Sequence, residues 1–292
     1  MLKEIIKERR PTISNSSINT YNSILTNLYK RVFGDGEIDM NKFNDDKEIL
    51  KDLKDLEPNK RKTILSALVV ITDNNKYRDQ MLEDIKEHRV EVAKQVKSES
   101  QEKNWVSNTE LDGVFLEHMV LFKFLLKKKE YTMNDLQKMQ NFIILCLLSG
   151  KFIPPRRLKD YVDFKIHEIN PDKDNFILGR KLVFNSYKTA KTYGKQEVEI
   201  PTKLSSILKQ WIKVNPTDYL LFDSKGEKLT NVKLNQRLNK IFGKEVSVNI
   251  LRHMFLSDKY GDIIETKRKL KQDFKDMGSS MNQEEVYIKK TN

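Results

Sequence analysis

The sequence predicts a mainly α-helical chain with a small antiparallel β-sheet, an α+β architecture in two domains. Three observations carry this. Apolar residues recur at helical spacing through most of the chain. A β signal appears at Asn175–Tyr187 and again at Gln196–Pro201. A polar stretch over 97–104, just before Trp105, separates an all-helical block from a mixed one. Domains are therefore expected at 1–103 and 104–292, and 292 residues suit two domains of roughly 150 each.

In the first block, N-cap candidates over 12–18 precede a stripe of Ile18, Tyr21, Ile24, Leu25 and Leu28, which Gly34 and Gly36 end. A short charged helix follows over 45–56, with Ile49, Leu50, Leu53 and Leu56 on one face. Pro58 opens a third helix whose Ile64, Leu65, Leu68 and Ile71 face inward. A fourth pattern runs from Tyr77 to about Lys103, using Met81, Leu82, Ile85, Val90, Val92 and Val96. In the second block, helices are expected over 109–127 and 132–149. The two β runs come next, joined by a basic hairpin tip over 188–195. Helices then resume over 204–213, 231–242 and 248–259.

Composition removes several function classes. Lys and Arg number 54 against 42 Asp and Glu, a formal charge of +12. The 38% hydrophobic content, with 14 Phe and 10 Tyr, suffices for packed cores. The longest apolar runs, 64–71 and 142–148, fall far short of the ~18 residues a membrane span needs. The charged N-terminus does not read as a secretory signal, so an intracellular, reducing location is expected. The single cysteine, Cys146, excludes a disulfide framework and reads as core. Four scattered histidines give no metal-ligand spacing, and no glycine-rich phosphate loop is present. Neither metal nor nucleotide cofactor is expected. The positive excess keeps nucleic acid in play, since a phosphate backbone rewards basic surface.

Four residues stand out by local context. Arg157 follows Pro154-Pro155, with Asp160 three residues on and able to reach back to the guanidinium. Lys188 lies at the mouth of the β-hairpin. Arg252 sits in Asn249-Ile-Leu-Arg-His253, and Tyr287 near the C-terminus. Taken singly, each reads as a surface charge, a helix ion pair or a packed aromatic.

As an ordered set they resemble the tyrosine recombinase (phage integrase) family, over essentially the whole chain. That family's first box is an Arg with an acidic residue three later, after a helix ending in Gly; here Gly150, Arg157 and Asp160 match. Arg156 lacks an acidic third neighbour, so the register favours Arg157. Lys188-Thr-Ala-Lys191 before Val198-Glu-Ile-Pro201 resembles the hairpin-lysine stretch. Asn249-Ile-Leu-Arg252-His253 resembles the second box, with Asn where His is usual. Met277-Gly-Ser279-Ser followed by Tyr287 resembles the last, with Ser279 where His or Trp is usual and a spacing one residue short.

The resemblance implies a helical core-binding DNA clamp followed by a catalytic domain. Tyr287 would attack a DNA phosphorus and form a 3′-phosphotyrosine link, so that rejoining needs neither ATP nor metal. Arg157 and Arg252 would hold the non-bridging oxygens, as bidentate guanidinium groups do well. Lys188 would protonate the leaving 5′-oxygen. Asn249 and Ser279 would serve as hydrogen-bond donors, with Asp160 and His253 in support. Arg156, Lys191, Lys60, Arg61 and Lys62 would contact the duplex. The expected partner is double-stranded DNA, bound by a homotetramer on two sites, with no membrane involved. The Pro154-Pro-Arg-Arg157 wording resembles recombinases of large DNA viruses and their parasites, which would act in a host nucleus or viral factory. Two alternatives stay open: relaxation of supercoiled DNA in the manner of a type IB topoisomerase, and a DNA-binding protein whose catalysis has decayed.

Overall fold

The computed structural model describes residues 1–289. It divides between Lys97 and Ser98 into two compact units.

The first unit is all helix: α1 (Leu2–Arg9), α2 (Asn15–Phe33), α3 (Asp46–Leu53), α4 (Pro58–Thr72) and α5 (Asn75–Ala93). Each boundary has a local cause. The Ser14 side chain accepts from the Ser17 amide and starts α2, and Gly34 at φ +89° stops it. Pro58 occupies the first turn of α4, where its missing N–H costs nothing. The core joins Ile6, Leu25, Leu28, Phe43, Leu65, Leu68, Ile71 and Tyr77, and the Tyr77 hydroxyl donates to the Phe43 carbonyl at 2.9 Å. Helix α1 was not foreseen, although its Leu2 and Ile6 are both buried. The apolar run at the end of the fourth pattern is not core: Val90, Val92 and Val96 are exposed.

The second unit begins with α6 (Glu99–Asn104), so most of the polar 97–104 stretch is itself helical, started by a Ser98–Gln101 capping box. Then come α7 (Asn108–Leu125), α8 (Met133–Leu148), α9 (Lys159–Val162), β1 (Phe176–Leu178), β2 (Lys181–Phe184), α10 (Ala190–Tyr193), β3 (Gln196–Glu199), α11 (Thr202–Val214), α12 (Asn231–Phe242), α13 (Val248–Tyr260), α14 (Ile263–Asp276) and α15 (Glu284–Tyr287). Helix α8 is buried nearly all round, as its continuous apolar run requires, and holds Cys146 in the core. Burial pushes the Cys146 thiol pKa up, so it is no thiolate nucleophile. The Gln140 amide pairs with both backbone groups of Phe222, at 2.8 and 2.9 Å, pinning the 219–223 segment to α8. The Trp211 indole donates to the Leu220 carbonyl beside it.

The sheet is antiparallel in the order β1-β2-β3, with Leu182 facing Ile177 on one side and Val198 on the other. A tight turn through Gly179 at φ +60° joins β1 to β2. The β2–β3 connection is more than a hairpin tip, because it folds into α10. The Tyr187 hydroxyl closes it by donating to the Gly194 carbonyl at 2.7 Å. Helix α14, also unforeseen, buries only Phe274.

Candidate functional site

Pro154 and Pro155 hold the chain extended after α8, since each proline fixes its own φ and disfavours helix in the residue before it. That delivers Arg156 and Arg157 to the lip of a cleft just before α9. The cleft, of about 220 Å³, is lined by Pro155, Arg156, Arg157, Asp160, Tyr187, Thr189, Tyr193, Gln196 and Arg252. Arg252 enters from α13, which Ser247 caps. One turn further along that helix, Phe255 lies so close to Gly150 that a Cβ there would stand 2.6 Å from the ring. Gly150, at φ +84°, thus serves both a backbone conformation and the close approach of the helix carrying Arg252.

Asp160 is 2% exposed and is the acidic centre of the site. Its partner is not Arg157, as the three-residue spacing suggested. Arg156 takes it, donating Nε–H to Oδ2 at 2.9 Å. The same guanidinium donates to Gln196 Oε1 at 2.9 Å and stacks 3.9 Å from the Phe184 ring centroid. Arg156 was expected on DNA; its Nε–H, one Nη–H and its flat face are instead committed to this chain. Oδ1 of Asp160 has no hydrogen-bond partner among the described residues. Burial raises the Asp160 carboxyl pKa, and Arg156, Arg157 and Arg252 pull it back down.

Arg157 and Arg252 are each half-buried and make no ion pair among the described residues. Two guanidinium groups held in a cleft with a single shared carboxylate nearby leave positive charge to be neutralised from outside. Asn249 lies three residues before Arg252 on α13, exposed and outside the lining, and His253 is exposed beyond it. Lys188 and Lys191 are exposed on the β2–β3 connection, Lys188 lying between two cleft-lining residues, Tyr187 and Thr189.

The last motif is not brought in. Tyr287 is 52% exposed and packs edge-on against Phe274, with ring centroids 5.9 Å apart. Ser279 is half-buried, its amide donating to the Phe274 carbonyl. Neither lines the cleft. Two tyrosines that sequence reasoning passed over, Tyr187 and Tyr193, do line it. So does Gln196, and Asn175 supports it from below. The buried Asn175 amide donates to the Asp160 and Ser186 carbonyls at 2.9 and 2.8 Å and accepts from the Asn185 and Ser186 amides. A polar Asn heading an apolar strand was the available signal.

In the first unit, Lys60 is exposed and Lys62 half-buried. Arg61 is not available. It is paired at 2.6 Å with the fully buried Asp84 of α5 and also donates to the Lys54 and Leu56 carbonyls. Its role is to fasten α4 to α5. Among the described residues no group of His, Cys, Asp and Glu is placed to hold a metal, and no helix is long and apolar enough to cross a membrane.

No family model and no curated protein matches the chain. Among solved structures, it is similar to a lambda integrase dimer bound to a COC′ core site, with 12% identity over 90% of this chain and 69% of that one, at a TM-score of 0.46. A second structure of a lambda integrase dimer on the same core site aligns at a TM-score of 0.45. A lambda integrase tetramer bound to a Holliday junction aligns over 84% of this chain and 63% of that one, with 11% identity and a TM-score of 0.42. At such TM-scores and identities these likenesses carry no weight for the chemistry, which the cleft's own residues must carry.

Proposed function

We propose that the second unit binds the phosphodiester backbone of duplex DNA and cuts and rejoins it through a 3′-phosphotyrosine intermediate, as a site-specific recombinase of the tyrosine recombinase family. The observation that carries this is the convergence of Arg157 and Arg252, from distant stretches of chain, on one cleft where neither has an ion-pair partner among the described residues. A phosphate already anionic gains charge on its non-bridging oxygens in the transition state, and two preformed guanidinium groups stabilise that charge. The order of the surrounding motifs supports the same reading.

In this mechanism the Tyr287 oxygen bonds to phosphorus as the bond to the 5′-oxygen breaks. The phenol proton leaves to solvent, and the 5′-oxygen takes a proton from the Lys188 ammonium. Asn249 and Ser279 donate hydrogen bonds to the phosphate. Asp160 holds the arginine cluster in place, and His253 is a surface residue of α13. Lys191 in the second unit and Lys60 and Lys62 in the first contact backbone phosphates. Tyr287, resting on Phe274, must be repositioned from the 277–287 segment or come from a second copy in a tetramer on two DNA sites.

The test is covalent capture. A pool of randomised duplexes, nicked next to the expected cut so that the short downstream fragment bearing the freed 5′-hydroxyl escapes, is incubated with the protein and resolved under denaturing conditions. An adduct that Tyr287→Phe abolishes is expected. An adduct abolished by Tyr193→Phe instead would move the nucleophile to the cleft-lining phenol, and no adduct from any duplex would overturn the enzymatic reading in favour of DNA binding alone. Relaxation of supercoiled plasmid by monomers, without paired sites, would favour topoisomerase-like action.

A further inference from the structure

We infer that Arg156 is a positioning residue for the leaving-group side of the reaction, tying the turn that carries Arg157 and Asp160 to the connection that carries Lys188. This rests on the reading of Lys188 as the acid. The guanidinium has two ends. Toward α9 it donates to the buried Asp160. Toward the sheet it donates to Gln196, the first residue of β3, and lies over Phe184, the last residue of β2. It also faces the Tyr187 ring at 5.2 Å, and Tyr187 in turn closes the connection on the Gly194 carbonyl. Both roots of the segment 185–195 are therefore held by one side chain that is only 18% exposed.

Beyond Ser186 the connection is held mainly by Arg156 and by the closure of Tyr187 on Gly194. Asn185 and Ser186 are tied to Asn175 at its start, and the Asn185 amide also donates to the Pro171 and Asp174 carbonyls. From Thr189 to Lys195, the side-chain tie to another element among the described residues is the exposed pair of Lys195 with Glu197 of β3, at 3.2 Å. An ammonium on such a connection reaches one bridging oxygen only if the roots are fixed. Lysine cannot substitute for Arg156, because a point-charge ammonium can neither present two N–H groups at a fixed angle nor stack flat on a ring.

The prediction separates the acid from the oxyanion clamp. When the scissile 5′-oxygen is replaced by sulfur, the departing thiolate needs no proton, so a misplaced acid ceases to matter. On the duplex recovered by covalent capture, Arg156→Lys and Gln196→Ala should slow adduct formation by about tenfold or more with an oxygen leaving group. With the bridging-sulfur duplex both should come within about threefold of the unsubstituted protein, as should Lys188→Ala. Arg157→Ala should stay slow on both. Equal losses for Arg156→Lys on both duplexes would mean that it touches the non-bridging oxygens itself, and would overturn the inference.

A second readout needs no catalysis. Limited trypsin cleavage after Lys188, Lys191 and Lys195 in the full chain should accelerate severalfold in Arg156→Lys and Gln196→Ala at an unchanged unfolding midpoint. Unchanged cleavage would overturn the anchoring even if the unsubstituted protein formed no adduct. Normal anchoring with no adduct from any duplex would instead point to failure of the enzymatic reading.

Discussion

The two units spend their charge differently. Residues 1–97 contain 19 Lys and Arg against 17 Asp and Glu, a net of +2, while residues 98–292 contain 35 against 25, a net of +10. The first unit, expected to be the basic clamp, is nearly neutral, and many of its cations are already paired: Lys30 with Asp35, Arg31 with Asp52, Arg61 with Asp84, Lys76 with Asp46, Arg78 with Asp73 and Lys94 with Glu91. The second unit leaves Arg157, Arg252, Lys188 and Lys191 without ion-pair partners among the described residues. A cation that already has a carboxylate gains little from a phosphate, whereas one held without a counter-charge gains much. On the proposed reading, the second unit would therefore meet most of a polyanion's phosphates, with the first adding individual exposed lysines.

The sharpest way to break this contrast is to exchange roles. Arg61→Ala should destabilise the first unit by about 3–5 kcal/mol, since it strands the fully buried Asp84, and urea unfolding would register the loss. A small change there would mean that Arg61 is free for DNA after all. In the second unit, Arg157→Ala or Arg252→Ala should leave stability nearly intact but cut covalent adduct formation by about 10²–10³.

A gentler probe is salt. Replacing Lys60 and Lys62 together with Ala should lower the slope of log affinity against log salt by about one per lost phosphate contact, without altering the single-turnover rate on bound DNA. A slope unchanged by that pair but lowered by Lys191→Ala would confine binding to the second unit.

The smallest effect concerns acid. Hydrogen bonds from Lys128 and then Thr132 hold the Asp135 carboxyl at about 2. A carboxyl depressed by folding adds stability above its unfolded value near ~3.9 and loses it as pH falls toward the folded one. The second unit should weaken between those limits, and Asp135→Asn should flatten that part of the profile, as circular dichroism against pH would show.

Much of the fold was legible because helical periodicity and caps act within one turn. Ser14, Gly34, Pro58 and the strand pair 176–184 and 196–199 mark their elements unaided. Helices α1 and α14 were missed because their polar sequences bury so little, Leu2 and Ile6 in one and Phe274 in the other. Val90, Val92 and Val96 misled in the opposite direction: apolar spacing allows a buried face but does not supply the element that covers it. In the site, Arg157, Arg252 and Asp160 could be picked out by spacing and resemblance. Gln196 could not, because its significance lies in Arg156, 40 residues away. Asn175 stood out only as a polar residue heading an apolar strand, and its tie to Asp160, 15 residues back, was not readable from the sequence.

By itself the sequence determined where most helices and the strands begin, the order of the arginine, lysine and tyrosine motifs, and the chain's positive excess. Those are properties of neighbours along the backbone. Only the tertiary structure decided that Asp160 holds Arg156 rather than Arg157, that Arg61 belongs to Asp84, and that Tyr287 rests on Phe274 outside the cleft. Partners three and four residues away are both within reach of a helical carboxylate, so local spacing cannot choose between them. The choice falls to the Phe184 ring and the Gln196 amide, which only folding delivers.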